Sequence, residues 1–343
     1  MSLAASLLQT AVTVGKEGLE KFEMRMPKND TSIVRAFSKY TDQLVAPGTI
    51  ERLKTSLRRP VQIPVFSNFA GTIGTVRKIN PTPDVATTAM VPINFVTKDF
   101  SFAIDEAINA DNYKDKAATL RNTLFNELKA VYYNSANSLE KQGANFLEAN
   151  KYATPPAITT PGVTPIAGAY ELGVDDYIIK APVIMEELFM TGGFQDVGTF
   201  GAYARNRDEA TYGKYNQRNL EQYADEMEYY SSREVTLTSG SQETHYVFPK
   251  GTVGMVNITE WDARNRSTDK DGRFEIVVDP WFGFEWGVYI TEYRVDLSGT
   301  YGTGFERVVR TRYDFAADFG MFMAYSSVGG ESPIVKMEAV ATP

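Results

Sequence analysis

The sequence of 343 residues contains no cysteine and only one histidine, His245. Without cysteine, the chain cannot form disulfides, use a thiolate nucleophile or build a cysteine-ligated zinc site. With a single histidine, metal sites made of several imidazoles are excluded, and a Ser-His-Asp triad would have to use His245. These absences remove the commonest catalytic and structural metal chemistries.

Long apolar runs and an excess of positive charge are also missing. No apolar stretch approaches the roughly 20 residues that a transmembrane helix needs. The N-terminal segment MSLAASLLQTAVTVGKEG lacks the basic start of a secretory signal. The 35 Lys and Arg residues stand against 43 Asp and Glu residues, for a formal net charge of −8, which argues against a dedicated nucleic-acid-binding protein. We therefore expect a chain without membrane contacts that is made and used in a cytoplasm.

The most regular helical pattern covers residues 114–149, between regions that resemble strands and loops. Apolar residues recur there at steps of three and four positions, as on one face of an α-helix. This stripe consists of Leu120, Leu124, Leu128, Val131, Tyr132 and Leu139. No proline follows until Pro155. The pattern predicts one continuous spine helix with a buried core-forming stripe.

Two strand-like runs precede this helix and are joined by a loop rich in Gly, Thr and Pro. Apolar residues alternate along residues 60–66, and again along 91–104 with a phase shift in the middle. The runs predict a hairpin with about 15 residues in each arm, roughly 50 Å when extended. An isolated two-stranded hairpin is at best marginally stable in water, and no other segment is evidently built to cover it.

We therefore expect the hairpin and the N-terminal segment to pack against neighbouring subunits. The residues expected to make these inter-subunit contacts are Leu3, Leu7, Val61, Ile63, Val65, Arg77, Lys78, Val91, Ile93 and Phe95.

The remaining chain predicts a mixture of short helices and strands. A helix is expected at Pro182–Met190, with the proline in its first turn, where a missing N–H is tolerated. Further helices are expected at Ile33–Leu44 and Thr49–Leu57. Strands are expected where apolar residues lie between turn residues. These strands are Glu234–Thr238, Tyr246–Phe248, Val253–Ile258, Phe274–Val278, Tyr289–Leu297, Phe305–Tyr313 and Ile334–Val340.

No motif predicts catalysis, a cofactor or a metal. The segments GTIGTV (71–76) and GTYGTG (299–304) lack the features of phosphate-binding loops, and residues 269–272 open a calcium-loop pattern that is not completed. Carboxylates at 175–176, 186–187 and 225–228 are expected on solvated surfaces, not as a glycosidase pair. We expect His245 at a surface or strand edge, and the tyrosines of 203–230 in protein interfaces. The chain is predicted not to be an enzyme.

The order of elements resembles the major capsid proteins of tailed bacteriophages, the Hong Kong 97-like fold family. The closing segment RVVRTRYDFAADFGMFMAYSSVGGESPIVKMEAV (307–340) is similar to the end of such chains, with a last strand of the form I-x-K-x-E. The segments GTVGMVN (251–257) and YIIKAPVIMEELF (177–189) also resemble axial-domain segments of this family. The resemblance extends over nearly the whole chain, in the order of the elements and in the general character of their sequences.

The resemblance implies an α+β fold with an N-terminal arm (1–59), an extended two-stranded hairpin loop (60–108), a peripheral domain with the spine helix (109–168 and 300–343) and an axial domain (169–299). It implies a structural protein that assembles into pentameric and hexameric capsomers. These capsomers would form an icosahedral shell around double-stranded DNA, without sequence-specific DNA binding. Scaffolding, portal and decoration proteins would be further partners. The location would be the virion capsid, assembled in the host cytoplasm.

Two alternatives stay open from the sequence. An encapsulin-type bacterial compartment shell protein would share the fold and would show a cargo-docking groove near the arm. A β-rich carbohydrate-binding protein or hydrolase would instead bring tyrosines and carboxylates together in one cleft.

Overall fold

In the computed structural model, the described residues form two six-stranded sheets with helices packed on them. The described residues are 8, 11–12, 32–41, 61–66, 88–105, 113–189, 193–203, 227–259, 272–305, 307–323 and 332–341. The helices are α1 (Ile33–Ser38), α2 (Tyr113–Lys129), α3 (Leu139–Ala149), α4 (Tyr177–Phe189) and α5 (Ser298–Tyr301), with a π-helical turn at Ala130–Asn134 and a 3-10 turn at Val174–Asp176. The strands are β1 (Val61–Phe66), β2 (Thr88–Asp105), β3 (Val163–Ile166), β4 (Ala169–Gly173), β5 (Phe194–Gly198), β6 (Met227–Ser231), β7 (Glu243–Pro249), β8 (Val253–Ile258), β9 (Gly272–Val278), β10 (Glu285–Val295), β11 (Val308–Met323) and β12 (Val335–Val340).

The first sheet is antiparallel and has the order β1-β2-β11-β10-β9, with β8 paired to the far end of β11. β11 pairs with β2 from Arg310 opposite Asp105 to Met321 opposite Asn94. Among the described strands, β1 pairs with β2 alone, and this ladder contains the six residue pairs that begin at Val61 opposite Ile93. Most of β2 therefore belongs to the sheet.

This register corrects the expectation of a long hairpin that finds no cover on its own chain. The aromatic side chains of β2 explain the difference, because Phe100 stacks on Phe315 of β11 at a ring distance of 4.6 Å. On the other face, Ile93 packs over Gly320, where an added Cβ would lie 2.2 Å from Ile93 Cγ2. Ile93, expected to contact a neighbouring subunit, is instead 0% exposed within its own chain.

The predicted spine helix is interrupted. α2 runs into the π-helical turn, and Ser135 then has extended backbone angles before α3 begins. Ser138 caps α3, since its side chain accepts a hydrogen bond from the Lys141 N–H at 3.3 Å. Ser and Asn side chains compete for backbone hydrogen bonds, which explains why the segment NSANS (134–138) ends one helix and starts another. The six residues of the predicted stripe are all buried nevertheless.

The first hydrophobic core lies among the first sheet, the helices α1, α2 and α3 and one side of the strands β5, β6 and β7, and it includes this stripe. At its centre, the Tyr132 hydroxyl donates to Asp279 Oδ2 at 2.9 Å and accepts from Trp286 Nε1 at 3.2 Å. Asp279 also accepts the backbone N–H groups of the loop that follows it. The helices and the sheet are thus joined by buried polar contacts as well as by apolar packing.

The second sheet has the order β3-β4-β12-β7-β5-β6 and is mixed, since β12 is parallel to β4 and antiparallel to β7. α4 packs on this sheet in a second hydrophobic core. The two sheets divide the chain differently from the predicted domains. β8, β9 and most of β10 belong to the first sheet, although 169–299 was expected to be axial, and β12 belongs to the second sheet, although 300–343 was expected to be peripheral. These strands pair with partners that are distant in the sequence, and local sequence patterns do not encode such pairing.

Three local expectations also change. Pro182 lies inside α4 and not in its first turn, because the helix already begins at Tyr177 after the 3-10 turn. Residues 234–238 form a turn and irregular chain where a strand was expected. The strand expected to end at Tyr313 continues instead, and β11 runs from Val308 to Met323. The glycine-rich segment 71–76, residues 269–271 and the helix expected at 49–57 lie outside the described residues.

Candidate assembly surfaces

The described part of the predicted N-terminal arm is held by its own chain. In α1, Ile33, Val34 and Phe37 are each 0% exposed. The Phe37 ring contacts the edges of Phe146 and Phe248 at centroid distances of 5.9 and 6.2 Å. Leu8 and Ala11 are buried in the same core. For the described residues, these contacts correct the expectation that the N-terminal arm packs against neighbouring subunits and not against its own chain.

A buried carboxylate strengthens this attachment. Glu140, at the start of α3, is 3% exposed, and its Oε1 accepts the Val34 N–H at 3.1 Å. Burial raises the pKa of Glu140 to about 7, against hydrogen bonds from Ser232, Ser32 and the α1 backbone that favour the charged form. We therefore expect the contact between α1 and α3 to respond to pH near neutrality.

A second polar contact fixes the chain just after α1. Glu228 of β6 accepts hydrogen bonds from the hydroxyls of Tyr40 and Tyr230, and it pairs with Lys39 at 2.9 Å and Lys250 at 3.5 Å. Burial alone would raise the pKa of Glu228, but these donors and cations lower it to about 2. Glu228, from the carboxylate cluster at 225–228 that was expected on a solvated surface, thus holds the chain after α1 against β6.

The first sheet ends in two different edge strands that carry exposed apolar side chains. Among the described residues, no strand pairs with the second edge of β2 over residues 94–104, and β9 pairs with β10 alone. Val96 on β2 is 42% exposed, and Ile276 and Val278 on β9 are 40% and 51% exposed. Exposed apolar edges of this kind promote pairing with another chain.

An open groove adjoins the β2 edge. It has a volume of about 630 Å³ and lies between α3 and the ends of β2 and β11. Val91, Val96, Phe146 and Met321 supply much of its apolar wall. The groove and the exposed Val96 form one continuous apolar surface next to the β1–β2 ribbon.

The structure places the predicted contact residues in several different environments. Val91 and Phe95 are half-buried, and Ile93 is buried. Val61, Ile63 and Val65 lie on β1 opposite Ile93, Val91 and Ala89. Leu3, Leu7, Arg77 and Lys78 lie outside the described residues. The exposed β9 residues were missed, since the alternation that predicts a strand does not show whether that strand lies at an edge.

Some of the polar residues singled out in the sequence lie within the described residues. Within the described ranges, no group of three or more His, Asp or Glu side chains could hold a metal ion. His245 was expected at a surface or strand edge, but it is 0% exposed in the middle of β7. None of the described helices has the length and apolar character required to span a membrane.

Comparison with known proteins gives matches to phage structures at low sequence identity. No protein-family model matches the chain, and no curated protein matches it. A chain of the cyanophage A-1(L) capsid asymmetric unit is 10% identical over 83% of this chain and 89% of that chain, with a TM-score of 0.46. A chain of the capsid of Ralstonia phage GP4 is 9% identical over 84% and 85%, with a TM-score of 0.41. A chain of Mycobacterium phage Bobi is 10% identical over 93% of both, with a TM-score of 0.41.

The first two of these structures are phage capsids, the class of protein that the sequence resembles.

Proposed function

We propose that this chain is the major capsid protein of a tailed bacteriophage, a structural and non-catalytic subunit of a closed shell. The observation that carries the proposal is the pair of unlike apolar edges on the first sheet, with Val96 at one and Ile276 and Val278 at the other. An edge that is apolar and exposed is a liability for a protein that stays monomeric. In this proposal, neighbouring subunits cover both edges.

Two unlike edges on one subunit favour a particular type of assembly. A contact between different surfaces of identical chains is heterologous, and it closes into a ring when the rotation permits. Pentameric and hexameric capsomers are such rings. With contacts of about 1,600 Å² each, a subunit with several neighbours would gain its stability from many modest interfaces.

The finer assignment follows the Hong Kong 97-like arrangement with revised boundaries. The first sheet with α2 and α3 would form the peripheral part, and the second sheet with α4 would form the axial part. The β1–β2 ribbon would be the base of the extended loop. The shell would be icosahedral and enclose double-stranded DNA, and its formal net charge of −8 suits a wall that does not bind the DNA tightly.

The proposed partners are further copies of this chain, together with scaffolding, portal and decoration proteins. The proposed location is the virion capsid, after assembly in the host cytoplasm.

A matched pair of substitutions tests the proposal. Val96→Asp places a charge on the exposed β2 edge, whereas Leu237→Asp places one on a side chain that is 49% exposed and lies off both edges. Both purified variants should unfold cooperatively, like the original chain. Negative-stain microscopy should show closed shells for the original chain and for Leu237→Asp, and none for Val96→Asp. Normal shells from Val96→Asp would remove the β2 edge from the assembly contacts.

A further inference from the structure

A buried charged cluster in the second sheet has no part in the assembly surfaces. His245 on β7 is 0% exposed, Asp196 on β5 is 1% exposed, and Glu243 on β7 is 6% exposed. His245 Nδ1 lies 3.1 Å from both carboxylate oxygens of Asp196, and Nε2 lies 3.2 Å from Glu243 Oε2. Both ring nitrogens therefore contact carboxylate oxygens.

The two nitrogen–oxygen contacts each need a hydrogen, but a neutral imidazole between two ionised carboxylates supplies only one. The cluster therefore requires one additional proton. A neutral imidazole carries one N–H, and its other nitrogen has a lone pair, while an ionised carboxylate has only lone pairs. With one N–H directed to Asp196, the Nε2 lone pair would face the lone pairs of Glu243 without a hydrogen between them. Such opposed acceptors are costly in a buried site. An imidazolium donates to both carboxylates and removes the conflict.

The elements packed around the ring favour this charge state. From α4, the Tyr177 ring stacks on His245 at a centroid distance of 3.8 Å, and its hydroxyl donates to Asp196 Oδ2 at 3.0 Å. From β5, Gly198 lies so close that an added Cβ would be 2.9 Å from Nδ1. From β12, the residue paired with His245 is the apolar Met337. The ring therefore has carboxylates at both nitrogens and fits tightly between the helix and the sheet.

The other charged and titratable groups nearby have partners of their own or lie farther out. Tyr229 of β6 interacts electrostatically with Tyr177. On β12, Lys336 pairs with Glu338 at 3.2 Å, and these residues flank Met337 in the sequence and so lie on the opposite face of the strand. On α4, Lys180 pairs with Asp176 at 2.8 Å. When it is protonated, His245 itself places a cation between the two carboxylates.

We propose that the second sheet folds around a buried imidazolium, His245 held between Asp196 and Glu243, and that loss of its proton at alkaline pH loosens the contact between β5, β7 and α4. The proposal concerns the folded chain itself and does not depend on shell formation.

The sign of the pH effect follows from the environment of the ring. Burial lowers the pKa of His245, but the charges and hydrogen bonds of Asp196 and Glu243 raise it by more, so it lies above the ordinary value of 6.5. A histidine whose pKa is raised by folding contributes stability that is fully present below pH 6.5. This stability is lost as the pH rises through the folded-state pKa.

The single histidine makes a direct test possible without any variant. The full chain, labelled with ¹⁵N and ¹³C on histidine only, gives one set of imidazole signals that magic-angle-spinning NMR can follow from pH 5.5 to 9.5 in assembled or unassembled protein. We expect an imidazolium with both nitrogens protonated at pH 7, and a titration midpoint above 6.5. A neutral ring at pH 7, or a midpoint at or below 6.5, would overturn the proposal.

A matched pair of variants tests the role of the second carboxylate. Glu243→Gln removes one of the two charges at the ring, and we expect the proton affinity of His245 to fall about tenfold or more. Glu338→Gln neutralises a buried carboxylate on the opposite face of the adjacent strand and should leave the midpoint unchanged. An unchanged midpoint in Glu243→Gln, or an equal shift in Glu338→Gln, would contradict the assignment. If Glu243→Gln does not fold, the titration of the original chain decides alone.

Hydrogen exchange locates the consequence of deprotonation. After correction for the intrinsic effect of pH, the amides of β5, β7 and α4 should lose protection as the pH passes the His245 midpoint, whereas those of β10 and β11 should not. Equal loss in both sheets, or no loss in β5 and β7, would contradict a local loosening.

Discussion

Gly143 determines how closely α1 can approach α3, and its substitution by alanine tests how the arm segment is attached. A Cβ built on Gly143 would lie 2.4 Å from Ile33 Cγ2 and 3.6 Å from Cε2 of the Phe37 ring. Ile33 and Phe37 are both 0% exposed, so neither side chain can move into solvent without separating the two helices.

Two opposing effects decide whether Gly143→Ala raises or lowers the free energy of unfolding. Alanine is more favourable than glycine in a helix interior by roughly 0.5–1 kcal/mol. Carbon atoms reach optimal contact at about 3.5–4.0 Å, so α1 would have to move by about 1 Å, the difference between 3.5 and 2.4 Å. Overpacking of this kind costs about 1–3 kcal/mol. We therefore expect Gly143→Ala to lower the free energy of unfolding by about 1 kcal/mol or somewhat more, despite the better helix propensity.

The assay is urea unfolding of the unassembled chain, with two further variants. Gly201→Ala is the control, because Gly201 is exposed in a short helical segment with no atom near its added Cβ, and it should be neutral or slightly stabilising. Ile33→Ala combined with Gly143→Ala should lose less stability than the two single changes added together. A Gly143→Ala chain that equals or exceeds the original in stability would refute this account of the α1 contact.

Three further changes address the buried polar groups and the helical stripe. As the pH rises from about 4.5 to 7, the original chain should lose up to about 3 kcal/mol of its free energy of unfolding at 1.36 kcal/mol per pKa unit, because the pKa of Glu140 is raised to about 7 on folding. Glu140→Gln should abolish this loss. If the variant were still less stable at pH 8 than at pH 5 by the same amount, the assignment would be refuted. Asp279→Ala leaves three backbone N–H groups and the Tyr132 hydroxyl without their acceptor, and it should cost about 3 kcal/mol or more in denaturant unfolding; a loss below 1 kcal/mol would contradict the role of this carboxylate. Changing Leu124 and Leu128 together to Asp should prevent folding, since both are buried; a soluble variant with normal circular dichroism and melting would show that the stripe is misplaced.

The helical stripe illustrates what sequence periodicity can predict. The spacing of three and four residues identifies the buried face of α2 and α3, because side-chain direction along a helix depends only on local geometry. The interruption at residues 135–138 was missed since Ser and Asn are tolerated both within helices and at caps. Only the capping contact from Ser138 to the Lys141 N–H decides between the two.

Sheet membership could not be predicted in the same way. Alternation identifies the strands that became β8, β9 and most of β10, but their partners depend on contacts far apart in the sequence. The ion pair between Arg310 and Asp105 joins residues 205 positions apart. The same limit explains why β2 was expected to lie free of its own chain and why the pairing of β12 with β4 and β7 was not predicted.

The buried cluster around His245 lies further beyond local reasoning. The pattern ETHYVF predicts a strand with alternating faces, yet β7 is covered on both faces and is buried along its whole length. Asp196, which completes the cluster, lies on β5, a strand that was not among those predicted from the sequence. A buried charge can be recognised only when its counter-charges are located in three dimensions.

A cryo-electron microscopy map of particles assembled from the purified chain tests the central claim most directly. The account predicts closed shells in which neighbouring copies cover Val96 at the β2 edge and Ile276 and Val278 at the β9 edge. Shells in which both edges face solvent, or a chain that stays monomeric under all assembly conditions, would contradict it.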